Sequence, residues 1–272
     1  MCRWLAYSGA PIYLEDLLFR PEHSLIDQSL AARTDDNTTN GDGFGIGWYG
    51  ERETPGVYRD VRPAWNDDNL RDLAANIRSR LFFAHVRSAT VGLAVQQSNC
   101  HPFRSGRWLF MHNGYIEGFP RLRRRLLQEV SDDLFPEIRG TTDSEVMFYL
   151  ALTFGLADDP AAAIERMAGF VEAVGRERGV AAPLQMTVGV SDGRRIHAVR
   201  YSTRGRSKSL FHSLHLDSLR EINPDLPDGT WAIVSEPLTD LSAQWEKIPE
   251  ATVVTVCDGE IERRPFTPRP PG

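Results

Sequence analysis

The order of the predicted secondary structure constrains the fold of this chain more than any other feature. Segments with strand character dominate up to Ile116, apolar helices are predicted after Thr142 and after Asp159, and strand character returns from Leu184 onward. Because strands and helices form separate runs, two sheets with helices outside them fit this order better than a strictly alternating parallel sheet. The sequence therefore predicts an α+β fold.

The first residues predict a buried strand that begins at a candidate nucleophile. Cys2–Ser8 contains the apolar run Trp4–Tyr7, and Gly9–Pro11 is expected to end the strand. If an aminopeptidase removes Met1, Cys2 carries a thiol and a free α-amine, with ordinary pKa values of about 8.5 and about 7.7–8.0, so both exchange protons near neutral pH. An N-terminal amine can activate a weak nucleophile. A cysteine at position 2 taken alone, however, is more economically interpreted as an ordinary residue.

Length and charge limit the classes of function. A chain of 272 residues can bury a substantial core, and its composition does not change along its length. We therefore expect a single domain over residues 1–262, followed by a disordered proline-rich tail over residues 263–272. With 31 basic and 37 acidic residues, the net charge of −6 gives no electrostatic reason to expect nucleic acid or a membrane as a partner.

The cysteines and the N-terminus indicate the cellular compartment. Cys2, Cys100 and Cys257 are odd in number and widely separated, which predicts neither a disulfide framework nor a metal site. Arg3 and Glu15 interrupt any signal-peptide pattern, and no apolar run approaches the roughly 20 residues that span a bilayer. We therefore expect a cytoplasmic protein.

A glycine-rich stretch, residues 40–50, predicts a strand with one bare face. Its glycines alternate with Phe44, Ile46 and Trp48, and a bare strand face lets another backbone or a ligand approach closely. A phosphate-binding loop is improbable because no Gly-Lys-Ser/Thr ending follows. Before it, His23–Ala32 is predicted to be a loop or a partly extended element, and the polar segment Thr34–Asn40 is predicted to be a loop and a candidate flap.

Two predicted strands, Leu81–Thr90 and Trp108–Ile116, begin with apolar residues and end with polar ones, which suggests a shared site at their ends. Each polar residue also has a simpler interpretation. Arg87 alone is more often part of a surface ion pair, and Asp143 alone is more often a helix cap. Asn113-Gly114 alone is most economically a hairpin turn. His85, His101 and His112 could also indicate a metal site or a Cys-His pair.

Six motifs in order resemble the class II, or N-terminal nucleophile, glutamine amidotransferases over roughly residues 1–260. The resemblance is strongest to the stand-alone members, such as the ergothioneine-pathway γ-glutamyl hydrolase. Val91 stands where the large synthases carry a histidine, and the chain is too short for a second, ammonia-consuming domain. The motifs are Cys2 itself, Asn40-Gly41-Asp42-Gly43-Phe44-Gly45, Ala84-His85-Val86-Arg87-Ser88-Ala89-Thr90, His101-Pro102-Phe103, His112-Asn113-Gly114 and Thr142-Asp143-Ser144-Glu145.

This resemblance implies an Ntn-hydrolase-type four-layer αββα sandwich, with the domain over residues 1–262 being a glutamine amidotransferase type-2 domain. It implies that Cys2 is the nucleophile with its own α-amine as base, and that Asn113 and Gly114 form the oxyanion hole. Arg87, assisted by Thr90, would hold the substrate α-carboxylate. Asp143 would hold the α-ammonium group. Because the base is the amine in this family, the resemblance implies that His85, His101 and His112 are structural or support the site residues, with no cofactor and no metal.

The expected activity is hydrolysis of a γ-glutamyl amide bond through a γ-glutamyl thioester on Cys2, with glutamine or a γ-glutamyl compound as the small-molecule substrate. A second hypothesis is a glutaminase subunit that supplies ammonia to a separate synthase. A third is a catalytically silent module that binds a glutamine-like ligand. The presence of the complete residue set argues against the third hypothesis, because loss of Cys2 would be its expected mark.

Overall fold

A computed structural model describes residues 2–33, 39–89, 94–214, 220, 229–240 and 244–272. Most of the Thr34–Asn40 loop, together with Thr90 and Val91, lies outside these ranges. No helix in the described part is both long and apolar enough to cross a bilayer.

The described strands are β1 (Arg3–Tyr13), β2 (Phe44–Trp48), β3 (Gly56–Asp60), β4 (Arg78–Val86), β5 (Phe103–Ser105), β6 (Trp108–Ile116), β7 (Leu184–Ser191), β8 (Arg195–Ser202), β9 (Phe211–Ser213), β10 (Trp231–Val234), β11 (Trp245–Lys247), β12 (Thr252–Cys257) and β13 (Glu260–Pro265). The described α-helices are α1 (Glu15–Leu18), α2 (Leu25–Leu30), α3 (Asp68–Asn76), α4 (Phe119–Leu127), α5 (Asp143–Thr153) and α6 (Pro160–Glu177).

The strands form two antiparallel sheets. The first has seven strands in the order β11-β9-β10-β1-β4-β2-β3, and the second has six in the order β13-β12-β8-β7-β6-β5. Strand β1 therefore lies inside its sheet, between β4 and β10, with Leu5 opposite both Ala84 and Val234. Strand β6 lies beside β7, with Asn113 opposite Thr187.

Three apolar layers hold the sheets and helices together. Side chains such as Trp4, Phe83 and Met111 fill the space between the two sheets. One outer layer packs α1, α2 and α3 on the seven-stranded sheet, and the other packs α4, α5 and α6 on the six-stranded sheet. The predicted four-layer αββα sandwich is confirmed.

The alternation of side chains along β1 determines which way its first residues face. Leu5 and Tyr7 pack toward the helices, whereas Trp4 and Ala6 pack between the sheets. Because side chains alternate along a strand, the side chain of Cys2 lies on the face of β1 that is turned toward the space between the sheets. The predicted end of this strand at Gly9 is wrong, because a shift in the β1–β4 register after Ser8 allows the strand to continue.

The bare face of β2 serves close packing within the protein. A Cβ atom on Gly45 would overlap the His101 carbonyl oxygen, and one on Gly47 would lie 2.8 Å from a Pro102 ring carbon. The predicted close approach is therefore confirmed, and the approaching group is another segment of the chain.

Two predictions of local structure are wrong. The segment around Leu25, predicted to be a loop or extended, forms helix α2, because Ser24 and Asp27 make a reciprocal capping box at its start. The C-terminal tail, predicted to be disordered, begins in strand β13 and continues along α6. There Phe266 is buried, and the backbone N–H of Arg269 donates to the Glu165 carbonyl oxygen at 3.2 Å.

The tail is held in place by a buried charge. The Glu165 carboxylate is 1% exposed and pairs with Arg264 at 2.6 Å and with Arg269 at 3.1 Å. Burying a carboxylate without such partners would strongly destabilise the fold. The packing of the tail and the stability of α6 therefore depend on each other. Composition alone does not predict this packing, because the two arginines of the proline-rich tail pair with a carboxylate that is distant in the sequence.

Candidate active site

The Cys2 side chain lies where β1 meets the end of β4. Its Sγ atom donates a hydrogen bond to the Ser88 carbonyl oxygen at 3.6 Å. Burial raises the pKa of the Cys2 thiol, and the positive charges of Arg87 and Arg3 act in the opposite direction. Because burial is the largest of these influences, the thiol is protonated at neutral pH and needs a nearby base to become a nucleophile.

Buried hydrogen bonds fix the backbone at Cys2. Arg3, 2% exposed, donates from Nη1 to the Cys2 carbonyl oxygen at 3.1 Å and from Nε to Glu236 at 2.9 Å. His23 Nε2 lies 2.6 Å from the other oxygen of Glu236. Sequence reasoning missed this network. An arginine inside an otherwise apolar, buried strand was the signal that a buried carboxylate must lie nearby.

A direct connection joins the strand of Cys2 to the strand of Asn113. The indole nitrogen of Trp4 donates to Thr187 Oγ1 at 3.0 Å, and the Thr187 hydroxyl donates to the Asn113 carbonyl oxygen at 3.4 Å. The first bond crosses the space between the two sheets, and the second joins the neighbouring strands β7 and β6. They set the position of Asn113 relative to the end of β1 that carries Cys2.

Asn113 and Gly114 lie inside strand β6, so the hairpin-turn interpretation is wrong. The Asn113 side chain is buried, and its amide makes no hydrogen bond to any of the residues described. Gly114 has φ of +150°, and a Cβ atom there would overlap the Gln185 carbonyl oxygen of β7. The position therefore requires glycine. Among the described residues, an amide without a hydrogen-bond partner thus lies beside an irregular backbone. The role of this pair as an oxyanion hole stays a prediction.

Arg87 is buried just beyond β4, next to the residue that contacts Cys2. Its guanidinium donates to the carbonyl oxygens of Asp42 at 3.3 Å and Ala94 at 3.4 Å. Within the described ranges no carboxylate pairs with it, and it is 3% exposed, so the surface ion-pair interpretation is wrong. A buried guanidinium bonded only to carbonyl groups retains the charge and the geometry to bind a carboxylate. Thr90, its predicted assistant, lies outside the described residues.

Asp143 is the first residue of α5 and connects that helix to β6. One carboxylate oxygen accepts from the Ile116 backbone N–H at 2.7 Å, and the other accepts from the Ser144 N–H at 2.8 Å. The cap of the helix is Thr142, which accepts from the Glu145 N–H at 3.2 Å. A carboxylate has about four lone-pair sites, so both oxygens retain accepting capacity. The role of Asp143 toward a substrate ammonium stays a prediction.

The three central histidines are neutral structural groups. The rings of His85 and His101 stack with their centroids 4.2 Å apart, and His112 Nδ1 lies 2.8 Å from Ser144 Oγ. Burial lowers the pKa of His85 to about 3, lowers that of His101 well below its ordinary value, and also lowers that of His112. No group of three or more His, Cys, Asp or Glu side chains in the described part is arranged to hold a metal ion.

Comparisons with known proteins identify the family of this chain. The family model for class-II glutamine amidotransferases matches residues 22–270, past the predicted domain end at residue 262. The probable glutamine amidotransferase DUG3 of Saccharomyces cerevisiae is 32% identical, over 98% of this chain and 84% of that protein. The γ-glutamyl-hercynylcysteine sulfoxide hydrolase of Mycolicibacterium smegmatis is 30% identical, over 98% of this chain and 100% of that protein.

Solved structures give the same result. A glutamine aminotransferase class-II domain protein from Silicibacter pomeroyi matches with a TM-score of 0.75 and 32% identity, covering 98% of this chain and 100% of that one. The glutamine phosphoribosylpyrophosphate amidotransferase of B. subtilis shares the fold, with a TM-score of 0.67, 13% identity and coverage of 98% of this chain and 49% of that one. The chain therefore belongs to the class-II glutamine amidotransferase family, enzymes that act on carbon–nitrogen amide bonds.

Proposed function

We propose that this protein hydrolyses the amide bond of a small γ-glutamyl compound through a γ-glutamyl thioester on Cys2. The observation that carries the proposal is the buried Arg87 guanidinium, which has no carboxylate partner in the described ranges and lies beside the Cys2 contact at Ser88. The name of the mycobacterial relative, a γ-glutamyl hydrolase, supports this substrate class.

The first half of the reaction forms the thioester. With Met1 removed, the α-amine of Cys2 takes the thiol proton, and Sγ attacks the γ-carbonyl carbon. The negative charge that develops on the carbonyl oxygen is stabilised by the Asn113 amide and the Gly114 backbone N–H. The carbon–nitrogen bond then breaks, and the α-ammonium group of Cys2 gives its proton to the leaving amine.

The second half of the reaction releases glutamate. The α-amine accepts a proton from a water molecule as that water attacks the thioester carbon, and the same two donors stabilise the second oxyanion. The carbon–sulfur bond breaks, and the proton returns to Sγ. Arg87, with Thr90, holds the substrate α-carboxylate, and Asp143 holds the α-ammonium group. Every proton transfer and bond change in this scheme involves only the substrate, water and groups of this chain. The scheme therefore needs no cofactor.

Replacing Arg87 with alanine is expected to raise the KM for glutamine by about 100-fold or more, because a charge-assisted, bidentate interaction with the substrate is lost. Steady-state kinetics with glutamine and with 4-aminobutanamide, which lacks only the α-carboxylate, measure this effect. The wild-type enzyme should treat 4-aminobutanamide as poorly as the Arg87→Ala variant treats glutamine. A variant that loses activity equally on both substrates would contradict carboxylate binding by Arg87.

Intact-mass measurement with a glutamine-analogue diazoketone tests the proposed nucleophile. We expect the purified protein to lack Met1 and to gain one adduct at Cys2. A form that retains Met1, obtained by blocking its removal, should gain no adduct and show no turnover, because acylation removes the basic amine. Loss of Met1 without an adduct would instead favour a silent binding module.

Product analysis separates hydrolysis from ammonia supply to a separate synthase. A stand-alone hydrolase cleaves γ-glutamyl substrates without another protein, whereas a glutaminase subunit would prefer glutamine and gain activity from its partner.

Cys2, Cys100 and Cys257 are all free thiols, which supports the proposed location in the reducing cytoplasm. That the chain forms a single catalytic domain also belongs to this proposal.

A further inference from the structure

A cavity of about 370 Å³ lies apart from the candidate active site, where the edge strands of the two sheets meet the start of α5. Strand β3 contributes Arg59 to its wall, β5 contributes Arg104, and α5 contributes Glu145. None of the candidate active-site residues belongs to its described lining. Its volume falls within the range of about 300–1,000 Å³ that is typical of small-molecule sites.

The bare face of β2 holds the first basic group of this cavity in place. Arg59 lies directly opposite Gly45 in the β2–β3 pair, and a Cβ atom on Gly45 would lie 2.7 Å from Arg59 Cγ. The glycine therefore leaves room for the stem of the arginine to lie across the strand. Arg59 Nη1 also donates to the Cys100 carbonyl oxygen at 3.2 Å. A guanidinium held in this way loses little conformational freedom when a ligand binds.

Three guanidinium groups line the cavity, those of Arg59, Arg104 and Arg139. Arg104 Nη1 donates to the Pro55 carbonyl oxygen at 3.0 Å. Within the described ranges the Arg139 side chain makes no hydrogen bond, and no carboxylate forms an ion pair with any of the three arginines. Burial lowers the pKa of Arg59, and the positive charges of the other two arginines lower it further, so the three groups are close enough to interact.

Two carboxylates line the same cavity, and both accept hydrogen bonds from neutral donors. Glu145 is 4% exposed and accepts from the backbone N–H groups of Arg139 at 3.0 Å and Gly140 at 2.6 Å. Glu137 accepts from the Ser105 hydroxyl at 2.8 Å. Because neither carboxylate pairs directly with a guanidinium, the three positive and two negative groups leave the described lining with an excess of positive charge.

This arrangement suits an anion with several oxygen atoms and more than one negative charge. One guanidinium can bind both oxygens of a carboxylate, whereas a phosphate group offers acceptors to several planar donors at once. We propose that this cavity binds a small molecule through a phosphate group held by Arg59, Arg104 and Arg139. Phe103 and Tyr149, both buried in the wall, provide aromatic surface for the rest of the ligand. This site is additional to the proposed hydrolysis and does not depend on it.

Calorimetric titration of the intact protein with inorganic phosphate, at constant ionic strength, tests the site. We expect the wild-type protein to bind one phosphate ion per chain, and to bind it more tightly than succinate, a dicarboxylate of similar charge. The double variant Arg104→Gln/Arg139→Gln should bind phosphate about tenfold or more weakly, because hydrogen bonds to a charged group are lost. Both side chains are exposed, so the fold should be retained.

Two further variants make the test specific. Arg176→Gln/Arg194→Gln removes two exposed charges that pair with Glu172 at 3.9 Å and with Asp258 at 3.1 Å and that do not line this cavity. This control should bind phosphate as the wild type does. Glu137→Gln removes a negative charge from the lining and keeps an acceptor for the neighbouring hydroxyl. It should therefore bind phosphate about twofold or more tightly.

The outcomes also separate this site from the proposed function. Absence of saturable phosphate binding in the wild-type protein, or equal affinities in the two double arginine variants, would overturn the site. Tighter binding of succinate than of phosphate would overturn the assignment of a phosphate group. All titrations are made without substrate, and Cys2→Ala should bind phosphate with the wild-type affinity, so the result is independent of the reaction at Cys2.

Discussion

Replacing Cys2 with alanine is expected to lower kcat by about 10⁴-fold or more while leaving thermal unfolding unchanged. The loss is large because the nucleophile is removed. Stability is retained because, within the described residues, the thiol makes a single long hydrogen bond, 3.6 Å to the Ser88 carbonyl oxygen, and the backbone of residue 2 stays bound to Arg3. Single-turnover release of glutamate from a γ-glutamyl substrate measures the chemical step, and calorimetry measures unfolding.

Cys257→Ala is the matched control for this experiment. Cys257 is a second partly exposed thiol, and it lies at the end of β12, where its Sγ contacts Asp258 at 3.3 Å. The control variant should retain full activity and a single adduct with the diazoketone. Turnover by Cys2→Ala at a rate similar to that of the control would exclude the thioester mechanism.

Replacing Asn113 with alanine is expected to lower kcat by about 10²–10³-fold with little change in KM, because one donor to the developing oxyanion is lost. The side chain makes no hydrogen bond within the described part of the chain, so its removal leaves no partner unsatisfied. Asn113→Asp keeps the shape but places an acceptor where the donor was, and it should be at least as slow.

Alkylation of Cys2 distinguishes a lost donor from a damaged site in the Asn113 variants. Attack on the diazoketone should remain measurable in Asn113→Ala, and its unfolding temperature should stay close to that of the wild type. A variant that loses activity together with stability would indicate a structural role in β6. An unchanged kcat would remove Asn113 from the oxyanion hole.

Much of the fold could be predicted from periodicity, and the exceptions have local causes. Strand β6 was predicted with its observed ends, because the segment begins and ends with apolar residues and is flanked by the charged residues Arg107 and Glu117. Helix α2 was missed because six residues give too little periodicity, although Ser24 and Asp27 carried a capping signal. The packed tail was missed because its stabilising contacts are to Glu165, about a hundred positions away in the sequence.

The motifs nominate the residues of the candidate site, whose roles stay predictions, but the environment of these residues could not be predicted from the sequence. Isolated interpretations of Arg87 as a surface ion pair and of Asn113-Gly114 as a turn were wrong, because burial depends on how the two sheets pack. The bridge from Trp4 to Thr187 joins residues 183 positions apart. Such a contact is determined by the packing of complete sheets, which no local pattern contains.

The internal position of β1 has a consequence for the timing of synthesis. This strand is translated long before one of its two neighbours in the sheet, β10, which is made of residues 231–234. Closing so long a loop of chain is slow compared with forming local structure. The sheet around the start of β1 is therefore completed late, and a chain that stops before β10 lacks one of the two strands that flank the candidate site.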